Sequence, residues 1–263
     1  MQDLQNRLIA QHAAAEDKGV LHFASHVVAL LAARNSQPES LLREDLVHLL
    51  VNAVTSDNSD RLRDLLRELK RQKITAEALA DRYIPEAARA MGAAWSDDRL
   101  GFMEVSMGSA RLQGLLREIG AAWVADHCET EDNGALLLIV PKAEQHTLGA
   151  MVLLGQLRRM GVSVCIRFAP TEEELHSLLR PGRFNGVLVS VASAEKLDVS
   201  RRLVKSIRKT GPQGLPVVLG GPVLEIAGEA EAATGADLAT NDLVAALQAC
   251  GLASSAKGVR KRA

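Results

Sequence analysis

Glu144, His146 and Gly149 stand at i, i+2 and i+5, just after the apolar run Leu136-Leu137-Leu138-Ile139-Val140 and Pro141. An imidazole two residues from a carboxylate has a defined chemistry. Neutral imidazole is a good transition-metal ligand, and a carboxylate on its second nitrogen fixes the tautomer and raises its basicity. Gly149 adds a place where backbone can approach a bulky, flat ligand that a Cβ would obstruct. The alternative is that His146 is an ordinary polar loop residue.

The neighbouring pattern says which elements position these residues. The apolar run is too short for a helix and is stopped by a proline, so it reads as a buried parallel strand, and helical spacing resumes after Gly149. His146 then lies in the loop at the carboxyl end of a strand, where open parallel sheets bind ligands. Val162-Ser163-Val164-Cys165-Ile166-Arg167 reads as a second strand, and Thr171-Glu172-Glu173-Glu174 as a capped helix start. Gly186 to Ser193 reads as a third strand ending in hydroxyls, Leu215 to Pro222 as a fourth ending in Gly220-Gly221, and Ala236 to Thr240 as a short fifth. Asp242 to Cys250 closes as a helix. Strands alternating with helices imply an α/β domain with a doubly wound, flavodoxin/Rossmann-like parallel sheet over about 134–252.

Glu144-x-His146-x-x-Gly149 resembles the Asp-x-His-x-x-Gly signature of cobalamin-binding domains, departing from it where Glu144 stands for the aspartate. The resemblance implies that His146 replaces the vitamin's own base as lower axial ligand to cobalt, with Glu144 orienting the ring. It also implies a slot for the vitamin's nucleotide tail, lined by Ser190 and Ser193 at the third strand and Gly220 and Gly221 at the fourth. Without it, Gly-Gly-Pro is turn chemistry and Ser193 a helix cap.

With 263 residues and 47% hydrophobic content, the chain can bury a sizeable core. Thirty-one basic against 32 acidic residues give no field for nucleic acid or an anionic membrane. Cys128, Cys165 and Cys250 have no metal-ligand spacing and make no even disulfide set. With no signal peptide or long apolar span, a soluble cytoplasmic protein is expected. Residues 1–36 read as a helical region in which His22 and His26 stand one turn apart, a spacing that can bind metal. With His12 they read more simply as packed or solvated residues. Residues 37–128 read as a helical bundle with segments at Leu41–Asn52, Arg61–Gln72, Ala76–Trp95 and Met103–Trp123. The mixed charges of Arg61 to Arg71 read as a solvated face. Glu129 to Gly134 is a polar linker, and 253–263 a basic, disordered tail.

The bundle is similar to the helical cap that covers the upper corrin face in methyl carriers and light sensors. The matching stretches are Tyr83 to Trp95 and Phe102 to Gln113. The resemblance implies that Trp95 faces the upper axial group, with Phe102, Met103 and Val105 beside it; the plainer reading makes them bundle core. Light sensors carry a Glu-His pair where this chain has Val105-Ser106, so this motif offers no second imidazole. The run from Trp95 to Gln113, with the ending Gly235 to Asp242, resembles the AerR/PpaA regulators of purple photosynthetic bacteria. That family implies a non-enzymatic, cobalamin-loaded antirepressor, carrying the adenosyl or hydroxo form. It binds a PpsR/CrtJ-type DNA-binding repressor and contacts no DNA sequence itself, consistent with the lack of a helix-turn-helix, zinc finger or basic stripe. Loss of a bulky adenosyl group in light would alter how the bundle sits on the sheet domain. The alternatives are a corrinoid methyl carrier of a methyltransferase system and a degenerate scaffold without the vitamin.

Overall fold

The computed structural model describes residues 42–125, 135–142, 147–225 and 230–252. His12, His22, His26, Cys128, the linker 129–134 and the tail 253–263 lie outside the described residues.

Helix α1 (Glu44–Thr55) buries Leu46, Val47, Leu50, Ala53 and Val54, one face at helical spacing. Asn58 caps α2 (Ser59–Arg71) by accepting from the Asp60 amide at 2.9 Å. Only Leu65 and Leu69 of α2 are buried among its described side chains. Its charges pair at i, i+3 as Asp60–Arg63, Asp64–Arg67 and Glu68–Arg71, the solvated face that the sequence suggests.

One helix is expected over Ala76–Trp95, and the structure divides it. A turn at Ala76–Ala78 runs into a π-helical stretch, Leu79–Tyr83, before α3 (Ile84–Ser96). The cause is Pro85, which has no N–H to donate and whose ring crowds the carbonyl four residues back. The ladder widens instead, with the Ile84 amide bonding the Leu79 carbonyl. Helix α4 (Phe102–Ala125) completes the bundle, burying Leu112, Leu115 and Leu116. Arg111 donates to the carbonyls of Val54, at 2.8 Å, and Ser56, satisfying acceptors at the end of α1.

The remaining elements are β1 (Ala135–Val140), α5 (Leu148–Arg159), β2 (Ser163–Phe168), α6 (Glu172–Leu179), β3 (Gly186–Ser190), α7 (Leu197–Thr210), β4 (Val217–Gly220), α8 (Ala230–Thr234), β5 (Leu238–Ala239) and α9 (Leu243–Ala249). The strands form one parallel sheet in the order β2-β1-β3-β4-β5. Strand β1 supplies both cores by its two-residue period. Leu136, Leu138 and Val140 join α5 and α9 on one face, while Leu137 and Ile139 join α6 and α7 on the other. The Thr171–Glu174 capping box opens α6 as expected. The third strand ends at Ser190, short of Ser193, because its pairing partner β4 ends at Gly220.

From Glu44 onward, bundle and sheet belong to one compact unit. Helix α4 lies along α5. Gln113 meets Thr147 at one end, and Leu116, Gly120 and Ala121 face Met151, Leu154, Gly155 and Arg158 across a cleft of about 150 Å³. Residue numbers rise together, so the two helices run parallel. At the far end, Arg159 Nη2 donates to both Asp81 carboxylate oxygens at 2.6 Å, with the side chains 12% and 28% exposed. Among the described residues, no helix is long and apolar enough to cross a membrane.

Asp81→Ala leaves the largely buried Arg159 guanidinium without this carboxylate and is expected to lower the unfolding free energy by about 2 kcal/mol. Urea denaturation of the cobalamin-free protein reads this directly, and an unchanged midpoint contradicts it.

Candidate functional site: the switch point under the helical cap

Strand β1 has β2 on one side and β3 on the other, so the connections leaving β1 and β3 diverge. In a 2-1-3-4-5 sheet this divergence opens a crevice at the carboxyl ends of those two strands. Val140 and Pro141 are buried there and Lys142 is exposed. Glu144 and His146 fall within 143–146, outside the described residues. The chain re-enters at Thr147, and α5 begins one residue later. Gly149 is exposed, and a Cβ there would meet nothing within 4 Å, so the space over the first turn of α5 is open.

The other expected residues gather at the same end of the sheet. Ser190 closes β3 and Ser193 follows, both half-buried. Among the described residues neither hydroxyl is hydrogen-bonded; Ser193 precedes the 3-10 turn Ala194–Lys196 without capping it through its side chain. Gly220 and Gly221 end β4. A Cβ on Gly220 would come 3.0 Å from the Thr240 carbonyl oxygen. Gly221 has φ 116°, and a Cβ there would overlap the Val191 carbonyl. The Val191 amide bonds the Gly220 carbonyl at 2.8 Å. Asn241 Oδ1 accepts from the Gly221 amide at 2.7 Å, and its Nδ2 donates to the Gly221 carbonyl at 3.2 Å. The Gly-Gly pair therefore lets the ends of β3, β4 and β5 close against one another. Asn241, quoted in the sequence only as part of an ending run, is the side chain that holds this junction.

The cap residues are placed by the alignment of α4. At about 1.5 Å rise per residue, the stretch from Gln113 back to Phe102 carries the helix about 16 Å beyond the start of α5, past the carboxyl end of the sheet. Phe102 and Met103 at its tip are 75% and 80% exposed, and Trp95 at the end of α3 is 51% exposed. Val105 is half-buried. The alternative that these residues form bundle core is thus overturned for Trp95, Phe102 and Met103. Met103, Ser106 and Ala110 continue the α4 face that carries Gln113 and Arg117, and all three are exposed.

Phe168, at the carboxyl end of β2, was not singled out by the sequence. It is 51% exposed, and Ala169 after it takes φ 44°, unusual for alanine, with its amide on the Val140 carbonyl at 2.8 Å. The chain has four Phe, two Trp and one Tyr, and Trp95, Phe102 and Phe168 are exposed. Large exposed apolar groups of this kind mark a surface that something covers. At the opposite end of the sheet Cys250 is inert: burial pushes its thiol up to about 11, with the Asp237 charge adding to the effect. Among the described residues, no group of three or more His, Cys, Asp or Glu could hold a metal ion by itself.

An open glycine at a helix start, free hydroxyls at the next strand end and an apolar roof fit a large, flat, partly polar group better than a small ion. Fold and site define a class, a parallel-sheet ligand domain under a helical cap. The B12 binding domain family matches residues 134–247. An uncharacterized 20.5 kDa protein of Rhodobacter capsulatus, from the bchF-crtJ intergenic region, is 42% identical over 179 residues, covering 68% of this chain and 93% of that one. The monomethylamine corrinoid protein of Methanosarcina barkeri has the same fold, with TM-score 0.58 at 14% identity over 80% of this chain and 97% of that one. Residues 134–247 are thus a B12 binding domain, and the chain belongs to one family with the Rhodobacter protein.

Two glycine substitutions should separate the frame from the ligand surface. Gly221→Ala, with a strained φ and a backbone clash, is expected to destabilise the cobalamin-free protein by about 3 kcal/mol or more. Gly149→Ala, in a helix with open space around it, should keep or slightly raise its melting temperature. Thermal unfolding of both variants checks the pair.

Proposed function

We propose that this chain is a cobalamin-loaded antirepressor, acting in the cytoplasm on a PpsR/CrtJ-type repressor of photosynthesis genes and carrying out no reaction of its own. The observation that carries the reading is the exposed roof of Trp95, Phe102 and Met103, held beyond the start of α5 in a chain whose family binds B12. The location of the Rhodobacter relative's gene between bchF and crtJ supports the choice of partner.

Bound cobalamin would supply a cobalt that takes a nitrogen ligand and an exchangeable group. His146 would hold that cobalt, with Glu144 orienting its imidazole. Gly149 admits the macrocycle over the first turn of α5, where a larger side chain would stand in its way. The Ser190 and Ser193 hydroxyls are available to hydrogen-bond the nucleotide tail beside the Gly220-Gly221 junction. Trp95, Phe102, Met103 and Val105 would shield bound cobalamin, in its adenosyl or hydroxo form, from water on the cap side. Ser106 on the same α4 face has a hydroxyl rather than a metal-binding imidazole, leaving that position to a small ligand or an adenosyl group. The repressor then reads how the cap sits.

His146→Ala is expected to bind hydroxocobalamin at least about 10-fold more weakly and to lose the absorption shift of His-ligated cobalamin. An unchanged spectrum contradicts the ligand assignment. The loaded wild-type chain should release a PpsR/CrtJ-type repressor from its operator in a gel-shift titration, and the His146→Ala chain should not. Thiol- or folate-dependent demethylation of a methylcobalamin-loaded chain, with no effect on the repressor, would instead establish a methyl carrier.

A further inference from the structure

Two polar links tie the cap to the two ends of α5, one from the π-helical stretch and one from α4. Asp81–Arg159 closes the end away from the crevice. At the crevice end, Gln113 Nε2 of the cap donates to Thr147 Oγ1 at 3.2 Å. Thr147 is an unusual helix start. It occupies the N-cap position of α5 at φ −91° and ψ −11°, in the helical region, and its hydroxyl caps none of the amides of α5. Thr171 shows the alternative in the same sheet domain: at φ −73° and ψ 166° it is extended, and its hydroxyl accepts from the Glu174 amide. The oxygen that Thr171 gives to its own helix, Thr147 gives to the cap. Thr147 also follows His146 directly in the chain.

We infer that Gln113 is a positioning residue: its hydrogen bond to Thr147 ties cap helix α4 to the amino end of α5, directly after His146 in the chain, so the cap's seat and the start of α5 change together. The inference rests on the reading of His146 as lower ligand. Thr147 has two exclusive arrangements, because capping α5 needs the extended backbone and the bond to Gln113 is made from the helical one. A shift of α4 that stretches the 3.2 Å bond frees Thr147 to leave the helical form, which loosens the start of α5. The coupling runs both ways, since whatever fixes Thr147 helical also fixes Gln113 and the overhanging tip of α4.

The test uses the full chain with Gln113→Leu, Thr147→Val, the double variant and Thr147→Ser. In the cobalamin-free protein, hydrogen exchange over 143–150 should quicken about 10-fold in the first two variants, with no change around Asp81 and Arg159. Thr147→Ser, which keeps the hydroxyl, should match the wild type. With hydroxocobalamin as probe, Gln113→Leu and Thr147→Val should each lose about 10-fold in affinity and part of the His-ligated absorption. The double variant should be no worse than either single change, the signature of one shared bond. Wild-type exchange and affinity in Gln113→Leu, or additive losses in the double variant, overturn the inference. A wild-type chain whose cobalamin spectrum equals that of His146→Ala overturns the lower-ligand reading instead, and the exchange results in the cobalamin-free protein distinguish the two failures.

Discussion

Helix α4 lies along α5, with Gly120 and Ala121 facing Gly155 across the cleft, and the two helices run in the same direction. The architecture above the sheet depends on that parallel alignment. Helix α5 returns from the carboxyl end of the sheet, so anything extending α4 beyond its first residues must project over the crevice. An antiparallel seam of the same strength would place Phe102 and Met103 under the amino end of the strands, away from any ligand site. Asp81–Arg159, from the π-helical stretch, and Gln113–Thr147, from α4, lock the cap to the two ends of α5. The π-helical stretch that Pro85 forces contains Asp81, so a local backbone consequence of one proline sits at one of the two locks.

The overhang explains why large apolar residues are exposed on a chain otherwise able to bury them. The bundle places Leu46, Leu50, Ile84, Met91 and Leu112 at 1% exposure or less, so its core is closed without Trp95, Phe102 or Met103. Gly108 contributes to that closure by letting α4 lie against Met91 and Thr55. Rings left outside a completed core keep their hydrophobic free energy in reserve for a partner surface, in this chain a flat one. Departures from the rule that apolar residues go inside concentrate at functional sites.

How much of this is legible in the sequence follows from what each signal depends on. The buried strand Leu136 to Val140, the helix restarting at Gly149, the Thr171–Glu174 capping box and the doubly wound order are all local patterns, and all are present in the fold. The exposure of Trp95 is not a local pattern. Helical spacing is the same whether an apolar face meets a neighbouring helix or a ligand, and only the line of α4 across α5 decides between them. Asn241 and Gln113 carry no local signal of a role, because their partners, Gly221 and Thr147, are 20 and 34 residues away. The early end of β3 is set in the same way, by a partner strand rather than by its own residues.

The floor and the roof of the site are built to different stiffness. On the floor, the Gly220 carbonyl takes the Val191 amide, Asn241 grips both polar groups of Gly221, and Asp242 caps α9 directly beyond, accepting from the Val244 amide at 2.8 Å. These bonds fix the ends of β3, β4 and β5 to one another beside Ser190 and Ser193 without help from a ligand. The roof is a helix tip supported from one side, about three turns from its nearest polar tie to the sheet domain. A ligand that presses on both surfaces will therefore displace the roof.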